Sequence, residues 1–182
     1  MFLNIVLFFS KEVEKMNRIC KARAIANYVV NYVYQKCEGL FSYRDLIYAE
    51  EDVIDFKNIK LQNILYFLYG LYYSKTGKQI FDDDFIAHKY GPIINEVYYE
   101  VKQRLRNPFR NIPKFFFSDS NYSDLNTDFD IINEILDSIL KFSSWRLIEL
   151  NHLNNSPWKL TKKLTIMNKT QINNYFLKIK FE

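Results

Sequence analysis

The chain has 182 residues, with 25 basic and 21 acidic side chains and a formal net charge of +4. This length predicts one domain, which can bury about two-thirds of its unfolded surface without disulfides or metal. Hydrophobic residues make up 48% and aromatic residues 18%, which excludes a disordered chain, and the small charge imbalance excludes a dedicated basic arm.

Two features of the sequence bear on the cellular compartment: the cysteines and the apolar N-terminus. Cys20 and Cys37 form neither a CxxC pair nor a zinc-ligand pattern, which favours the reducing cytoplasm. Residues 1–9 are almost all apolar, but they are too short for a hydrocarbon core of roughly 30 Å and have no flanking cleavage signal. We therefore expect no membrane segment there, and we interpret residues 1–15 as an optional leader before a domain spanning 16–182.

Helical periodicity dominates the first half of the domain. Apolar residues spaced by three and four predict a helix from Asn17 to Lys36. Residues 42–56 are mixed in character and are interpreted as a variable insertion. A wide apolar stripe predicts the central buried helix from Asn58 to Lys75. Gly70 inside it costs about 1 kcal/mol relative to alanine, which suggests that another backbone packs closely there.

A small β-hairpin is predicted near residues 79–90. Two short extended segments, Gln79–Phe81 and Phe85–Lys89, flank a turn formed by Asp82 to Asp84. The triple aspartate lacks the oxygen-ligand spacing of a calcium loop, so we interpret it as a solvated turn.

The second half of the chain alternates a loop with further helices. Pro92 suits a first helical turn and predicts a helix from Pro92 to Arg104. Residues 106–127 contain two prolines and several Asn and Ser residues, which predict a long loop. Asp128 is expected to cap the next helix, Ser143 or Ser144 the one after it, and a last helix is predicted near Lys169 to Ile179. These elements indicate a mainly α, compact, multi-helix single domain.

Patterns typical of an enzyme are missing from the sequence. The four glycines, Gly39, Gly70, Gly77 and Gly91, form no phosphate-binding loop, and we expect no cofactor. His88 and His152 are the two histidines, far apart and without a cysteine cluster or a zinc motif, so we expect no metal site. We interpret the protein as a non-enzyme.

The most specific stretch is residues 59–101, which joins an aromatic helix, an acidic turn and a Gly-Pro element. Its order and spacing resemble the Panacea-domain antitoxin family, which includes SocA-type and phage-associated GepA-like proteins. Residues 145–159, with a Ser-Pro-Trp turn, resemble the same family. The positions that we assign to its structural motif are Lys60, Leu61, Gln62, Gly70, Gly91 and Pro92.

The resemblance implies a function in a toxin–antitoxin system. Members of the family are cytoplasmic proteins, often encoded in prophages and bacterial operons beside a toxin. They neutralise that toxin by direct protein–protein binding, and some relatives instead act as adaptors that deliver the toxin to a protease. The implied partner is a protein toxin encoded by an adjacent gene, and a bacterial protease is the alternative partner.

Aromatic and basic side chains are the candidates for contact with a partner, because such residues dominate binding energy at interfaces. The candidates are Tyr69, Tyr73, Lys89, Tyr90, Arg104, Phe116 and Trp158. Tyr69 and Tyr73 either form a binding surface or cover a neighbouring helix, and Trp158 suits the core equally well. A rigid turn at Gly91 and Pro92 would place Lys89 and Tyr90 in a fixed orientation.

DNA binding is a less favoured alternative. A DNA-binding regulator requires a recognition helix with clustered basic residues, and the best basic stretch, residues 102–110, adjoins a proline-containing loop. Nucleic acid is therefore disfavoured as a partner. An enzyme stays open as the third possibility, and a pocket that joins His88 or His152 to a carboxylate would strengthen it.

Overall fold

A computed structural model describes residues 21–36, 51–105 and 128–179 of the chain. The expected leader (residues 1–15), most of the insertion (up to residue 50) and the long loop (106–127) lie outside these ranges. Within them are seven helices and two strands: α1 Lys21–Lys36, α2 Glu51–Thr76, β1 Ile86–His88, β2 Gly91–Ile93, α3 Asn95–Leu105, α4 Phe129–Ile139, α5 Ser144–Asn151, α6 Pro157–Leu160 and α7 Lys169–Phe176. The mainly α fold with one small hairpin is confirmed.

Helix α2 is the centre of the domain. It contacts α1, α3, α4, α5, α7 and β2, and every residue from 61 to 70 is buried. A helix surrounded on all sides needs no polar face, which explains why its aromatic residues are not confined to one stripe. The helix begins at Glu51, so the last residues of the predicted insertion belong to α2 instead.

Gly70 allows α7 to pack directly against α2. A Cβ atom built on Gly70 would lie 2.1 Å from Cδ2 of Phe176, whose side chain is fully buried. Close packing at Gly70 was predicted correctly, but the neighbour is an aromatic ring and not a backbone. Tyr66 and Phe67 complete the contact with edge-to-face rings, at centroid distances of 5.3 and 5.7 Å from Phe176.

The hairpin lies later in the chain than its predicted strands. β1 and β2 are antiparallel, with Ile86 opposite Ile93 and His88 opposite Gly91, so the turn is Lys89–Tyr90. Pro92 belongs to β2, and the prediction that it begins a helix is wrong: α3 begins at Asn95.

Pro92 is compatible with β2 because of its partner in the register. It lies opposite Ala87, whose N–H donates to Thr165 and whose carbonyl accepts from Leu164. Ala87 therefore requires no N–H from Pro92, and proline is tolerated at such a position of a strand.

The triple aspartate is largely exposed to solvent, as predicted, with the Asp82 and Asp84 side chains 74% and 53% exposed, and it also contacts the starts of two helices. Lys169 is the first residue of α7, and its Nζ lies 3.0 Å from Oδ1 of Asp82 and 3.1 Å from Oδ1 of Asp84. The Asp83 carboxylate accepts a hydrogen bond from the backbone N–H of Ala22 at 3.0 Å. The acidic turn thus fastens the N-terminal ends of α1 and α7 to the segment before β1.

Side-chain caps begin several of the later helices. Asp128 accepts from the N–H groups of Asp130 and Ile131 at the start of α4, and Ser143 accepts from that of Arg146 at the start of α5. Both caps were expected from the sequence, with Ser144 as the alternative for α5. Among the described helices, none combines the length and the apolar character that a bilayer crossing requires.

Substitution of Gly70 by alanine should destabilise the protein. The added methyl group overlaps the buried Phe176 ring, and overpacking typically costs roughly 1–3 kcal/mol, more than the gain in helix propensity. Urea unfolding of G70A, F176L and the double variant measures the coupling. We expect F176L to be less harmful in the G70A background than alone, and strictly additive effects would contradict the proposed contact.

Candidate protein-binding surface

The Lys89–Tyr90 turn presents an aromatic ring and a positive charge at the tip of the hairpin. Tyr90 is 38% exposed, and the Lys89 ammonium group lies 4.7 Å from the centroid of its ring. Hydrogen bonding to the Tyr90 side chain raises the pKa of Lys89 above its ordinary value. The tip is therefore a cationic, aromatic surface at neutral pH.

Gly91 gives the turn its backbone geometry. Its φ of 140° lies in a region that residues with a side chain rarely adopt. A Cβ atom at this position would also lie 2.8 Å from the Asn63 side-chain oxygen and 3.2 Å from the Asn151 side-chain nitrogen. Both the conformation and the close approach require glycine.

A buried amide network lies directly beneath Gly91. The Asn151 amide donates to the side-chain oxygen of Asn63 at 2.5 Å, and the Asn63 amide donates to the carbonyl of Ile59 at 2.9 Å. The Ser156 hydroxyl donates to the carbonyl of Asn151. The Ser156 Oγ also accepts from the N–H of Lys159 and so caps α6. We call Asn63, Asn151 and Ser156 the amide network. It joins α2, α5 and α6 under the hairpin.

A second pair of buried amides fixes the chain on the other side of the hairpin. The Gln62 side-chain oxygen accepts from the N–H of Ile94 at 2.8 Å, just before α3 begins. The Asn58 amide donates to the carbonyl of Tyr98 at 2.8 Å within α3. Because Gln62 and Asn58 both lie on α2, they align α3 along the central helix.

Trp158 supports the turn from inside, which corrects its assignment to the exposed partner-binding set. Its side chain is 4% exposed, and its indole N–H donates to the carbonyl of His88 at 2.7 Å. The His152 ring stacks on the indole at 4.2 Å, and the Lys163 ammonium group lies 2.9 Å from the indole centroid. Trp158 thus connects α6 to the end of β1.

Tyr69 is likewise placed in the core, not on a surface. It is 0% exposed and packs against Phe81 and Phe85, because α2 is covered on that side as well. Burial, and then the charge of Asp82, raises the pKa of Tyr69 to about 12. Its hydroxyl therefore stays protonated at neutral pH.

Among the remaining candidates, Tyr73 is the one whose side chain the structure describes, and it lies away from the turn. Tyr73 is half-buried and lies ten residues beyond Asn63 on α2, about 15 Å along the helix axis at 1.5 Å per residue. Arg104 falls in the last turn of α3, but its side chain lies outside the described residues, as does the whole of Phe116. The described candidates at the hairpin are Lys89 and Tyr90.

His152 lies beside the Trp158 ring and close to two lysines. Burial, followed by the positive charges of Lys163 and Lys159, lowers the pKa of His152 below its ordinary value. His152 is therefore mostly neutral at neutral pH, and burial is the largest cause of the lowered pKa, with the two lysines adding to it. In the part of the chain that the structure describes, no group of three His, Cys, Asp or Glu residues could bind a metal ion.

Gln62 was among the predicted motif positions, whereas Asn58, Asn63 and Asn151 were not predicted. A signal was present, since Asn58, Gln62 and Asn63 interrupt a helix whose other residues between 58 and 70 are nearly all buried and apolar. Buried amides are normally hydrogen-bonded. Polar residues inside an otherwise apolar helix thus indicated partners elsewhere in the chain.

Comparison with known proteins identifies one relationship. Residues 61–159, more than half of the chain, match the family described as antitoxin SocA-like, Panacea domain. The match includes most of α2, the hairpin, α3 and the Ser-Pro-Trp turn, and so contains the amide network. No curated protein and no solved structure matches the chain significantly.

Alanine at Gly91 should be more harmful than alanine at Gly77. Both glycines have a positive φ, but a Cβ meets the Asn63 and Asn151 amides at Gly91 and nothing within 4 Å at Gly77. Strain in such a conformation costs on the order of 1–3 kcal/mol, and a broken buried hydrogen bond adds to it. Chemical unfolding of both variants measures the difference, and equal losses would argue against the close approach at Gly91.

Proposed function

We propose, from the premise that the chain belongs to the antitoxin SocA-like, Panacea-domain family, that this protein neutralises a cognate protein toxin by binding it directly. Family membership supports a role in a toxin–antitoxin system in general. The finer proposal is that the toxin is encoded by an adjacent gene and that the complex forms in the cytoplasm. Neutralisation would then follow from coverage of the toxin surface, without catalysis by the antitoxin.

The observation that carries this proposal is the supported Lys89–Tyr90 turn. The turn is exposed, while the chain on both sides of it is fixed by buried groups: Trp158 bonds to His88, and Gly91 lies against Asn63. A side chain that is already oriented loses little conformational entropy on binding. Tyrosine adds a large contact area with few rotatable bonds.

The turn can supply only part of an interface. A stable complex buries roughly 800 Å² on each partner, and a few residues usually account for most of the binding energy. We assign Tyr90 and Lys89 to that central group. Tyr73, Arg104 and Phe116 are proposed as further contacts, although Tyr73 would require an interface that extends along α2.

Delivery to a protease is the alternative mode of neutralisation, and it predicts a different outcome for the toxin. If the protein acts as an adaptor, the toxin should be degraded faster when the antitoxin is present, and loss of the protease should restore toxicity. If the protein covers the toxin, the toxin should persist at a constant level in an inactive complex. Pulse-chase measurement of the toxin in the presence and absence of antitoxin separates the two modes.

Expression of the neighbouring gene alone should arrest growth, and co-expression of this protein should restore it. The two proteins should then co-purify with a fixed stoichiometry in size-exclusion chromatography. A catalytically inactive toxin variant allows the complex to be prepared in quantity. If neither growth rescue nor a complex is obtained with the flanking gene products, the proposed function fails.

Tyr90→Ala should weaken the complex with little effect on the fold. Truncation of a central interface residue typically costs more than 1 kcal/mol, and a loss of about 1.4 kcal/mol corresponds to a tenfold higher Kd. Calorimetric titration measures the Kd, and thermal unfolding tests the fold. Trp145→Ala is the matched control, because Trp145 is an exposed aromatic residue on α5; an equal effect of both substitutions would reject the assigned role of Tyr90.

A further inference from the structure

Immediately after Trp158, the chain exposes three large apolar side chains within seven residues. Leu160 is 67% exposed, Leu164 is 74% exposed and Ile166 is 62% exposed. We call residues 159–166 the lysine–leucine segment. Except for Lys159 it lies beyond the residues that match the family.

Leu164 adopts a conformation that its side chain does not favour. Its φ is 62°, and it is the one residue other than glycine with a positive φ in the described parts of the chain. Asparagine or glycine normally occupies this region. Burial does not compensate the strain, because the side chain points into solvent. An exposed, strained leucine is a feature that a folding requirement does not explain.

The backbone N–H and carbonyl of Ile166 face away from the hairpin, at the edge of the pairing. The Thr165 carbonyl accepts from Ala87 at 3.0 Å, and the Met167 N–H donates to Phe85 at 2.7 Å, so residues 165–167 pair with β1 and its preceding residue. In an antiparallel ladder the residue between them directs its N–H and carbonyl to the opposite edge. Nothing in the described chain bonds to those two groups of Ile166.

The charged side chains around the lysine–leucine segment in the sequence are all basic. The sequence contains six lysines and no Asp or Glu between Leu150 and Phe181. Lys169 is paired with the acidic turn and Lys163 lies on Trp158, whereas no carboxylate of the described residues pairs with Lys159 or Lys162. Two exposed ammonium groups therefore flank Leu160, and no described carboxylate balances their charge.

The lysine–leucine segment is continuous with the Lys89–Tyr90 turn. The N–H of Leu164 donates to the carbonyl of Ala87 at 2.9 Å, two residues before the turn, and Trp158 bonds to His88 between them. Tyr90 and Leu164 are both exposed, and the backbone of Leu164 is hydrogen-bonded to the strand that leads into the Lys89–Tyr90 turn. A partner that contacts the turn is within reach of the segment.

We infer that the lysine–leucine segment is a docking site for an extended segment of the partner protein that carries apolar side chains flanked by Asp or Glu. This inference rests on the proposed antitoxin function. The extended segment would bond to the free N–H and carbonyl of Ile166, cover Leu160 and Leu164, and place its carboxylates near Lys159 and Lys162. Backbone pairing favours a protein over lipid or nucleic acid.

Substitution of Leu164 by asparagine separates binding from folding. Asparagine tolerates the positive φ, so the thermal midpoint of L164N should be equal to or above that of the wild type. The Kd for the product of the neighbouring gene should rise at least tenfold, because an apolar contact is lost. Leu177→Asn is the control, since Leu177 is also exposed and follows the far end of α7; it should leave the Kd unchanged.

Charge reversal tests the chemistry of the partner. The double variant K159E/K162E should raise the Kd at least tenfold at low salt, and the difference from the wild type should shrink as salt is added. The double variant K78E/K141E makes the same change in net charge at exposed lysines elsewhere and serves as the control. Equal losses in both double variants would show a general charge effect and contradict a specific docking site.

Other occupants give distinct results. Sedimentation with vesicles containing anionic lipid, a salt-sensitive shift of DNA or RNA, or dimerisation in size-exclusion chromatography, each abolished by K159E/K162E, would overturn the inference in favour of a membrane, a nucleic acid or a second copy. If wild-type protein binds the neighbouring gene product and L164N and K159E/K162E bind it equally well, the docking site is wrong and the antitoxin function stands. If the wild type does not bind that product, the proposed function itself fails.

Discussion

The hydrogen bond between Asn63 and Asn151 is the constraint on which the site depends. These amides are 88 residues apart in sequence and both are buried. A buried amide without a partner costs about 1–3 kcal/mol, so each has essentially one acceptable arrangement. Apolar contacts would permit α5 to slide or rotate on α2, whereas the amide pair admits one register. Gly91 lies on top of this pair without a side chain, and the hairpin therefore takes its position from the network.

The same constraint explains why an exposed turn can be rigid. Surface turns generally have few contacts and move more than the elements that they connect. Here Trp158 donates a hydrogen bond to the carbonyl of His88, the last residue of β1, and Gly91 lies against two amides. The turn residues Lys89 and Tyr90 therefore have fixed neighbours on both sides. The polar groups inside the domain thus orient the aromatic and basic groups outside it, and this orientation would lower the entropy cost of the proposed binding.

Charge has two separate uses along the chain. Asp82 and Asp84 pair with Lys169 and fix the start of α7, so these charges contribute to packing. Lys159 and Lys162 have no such partner among the described residues and stand beside exposed leucines. Paired surface charges contribute little to stability, but unpaired ones beside apolar surface steer and select a binding partner.

Local patterns in the sequence were sufficient to predict helices at α1, α2, α4, α5 and α7, and the caps at Asp128 and Ser143, because periodicity and capping involve residues within about four positions of one another. The start of α3 and the short helix α6 were not predicted. The resemblance of residues 59–101 and 145–159 also identified the family. The hairpin register, the burial of Tyr69 and Trp158, and the pairing of Asn63 with Asn151 could not be obtained in that way. Each depends on which distant segment covers a given face of α2. The amides inside the apolar helix indicated that partners exist, but a single sequence does not identify a partner that lies 88 positions away.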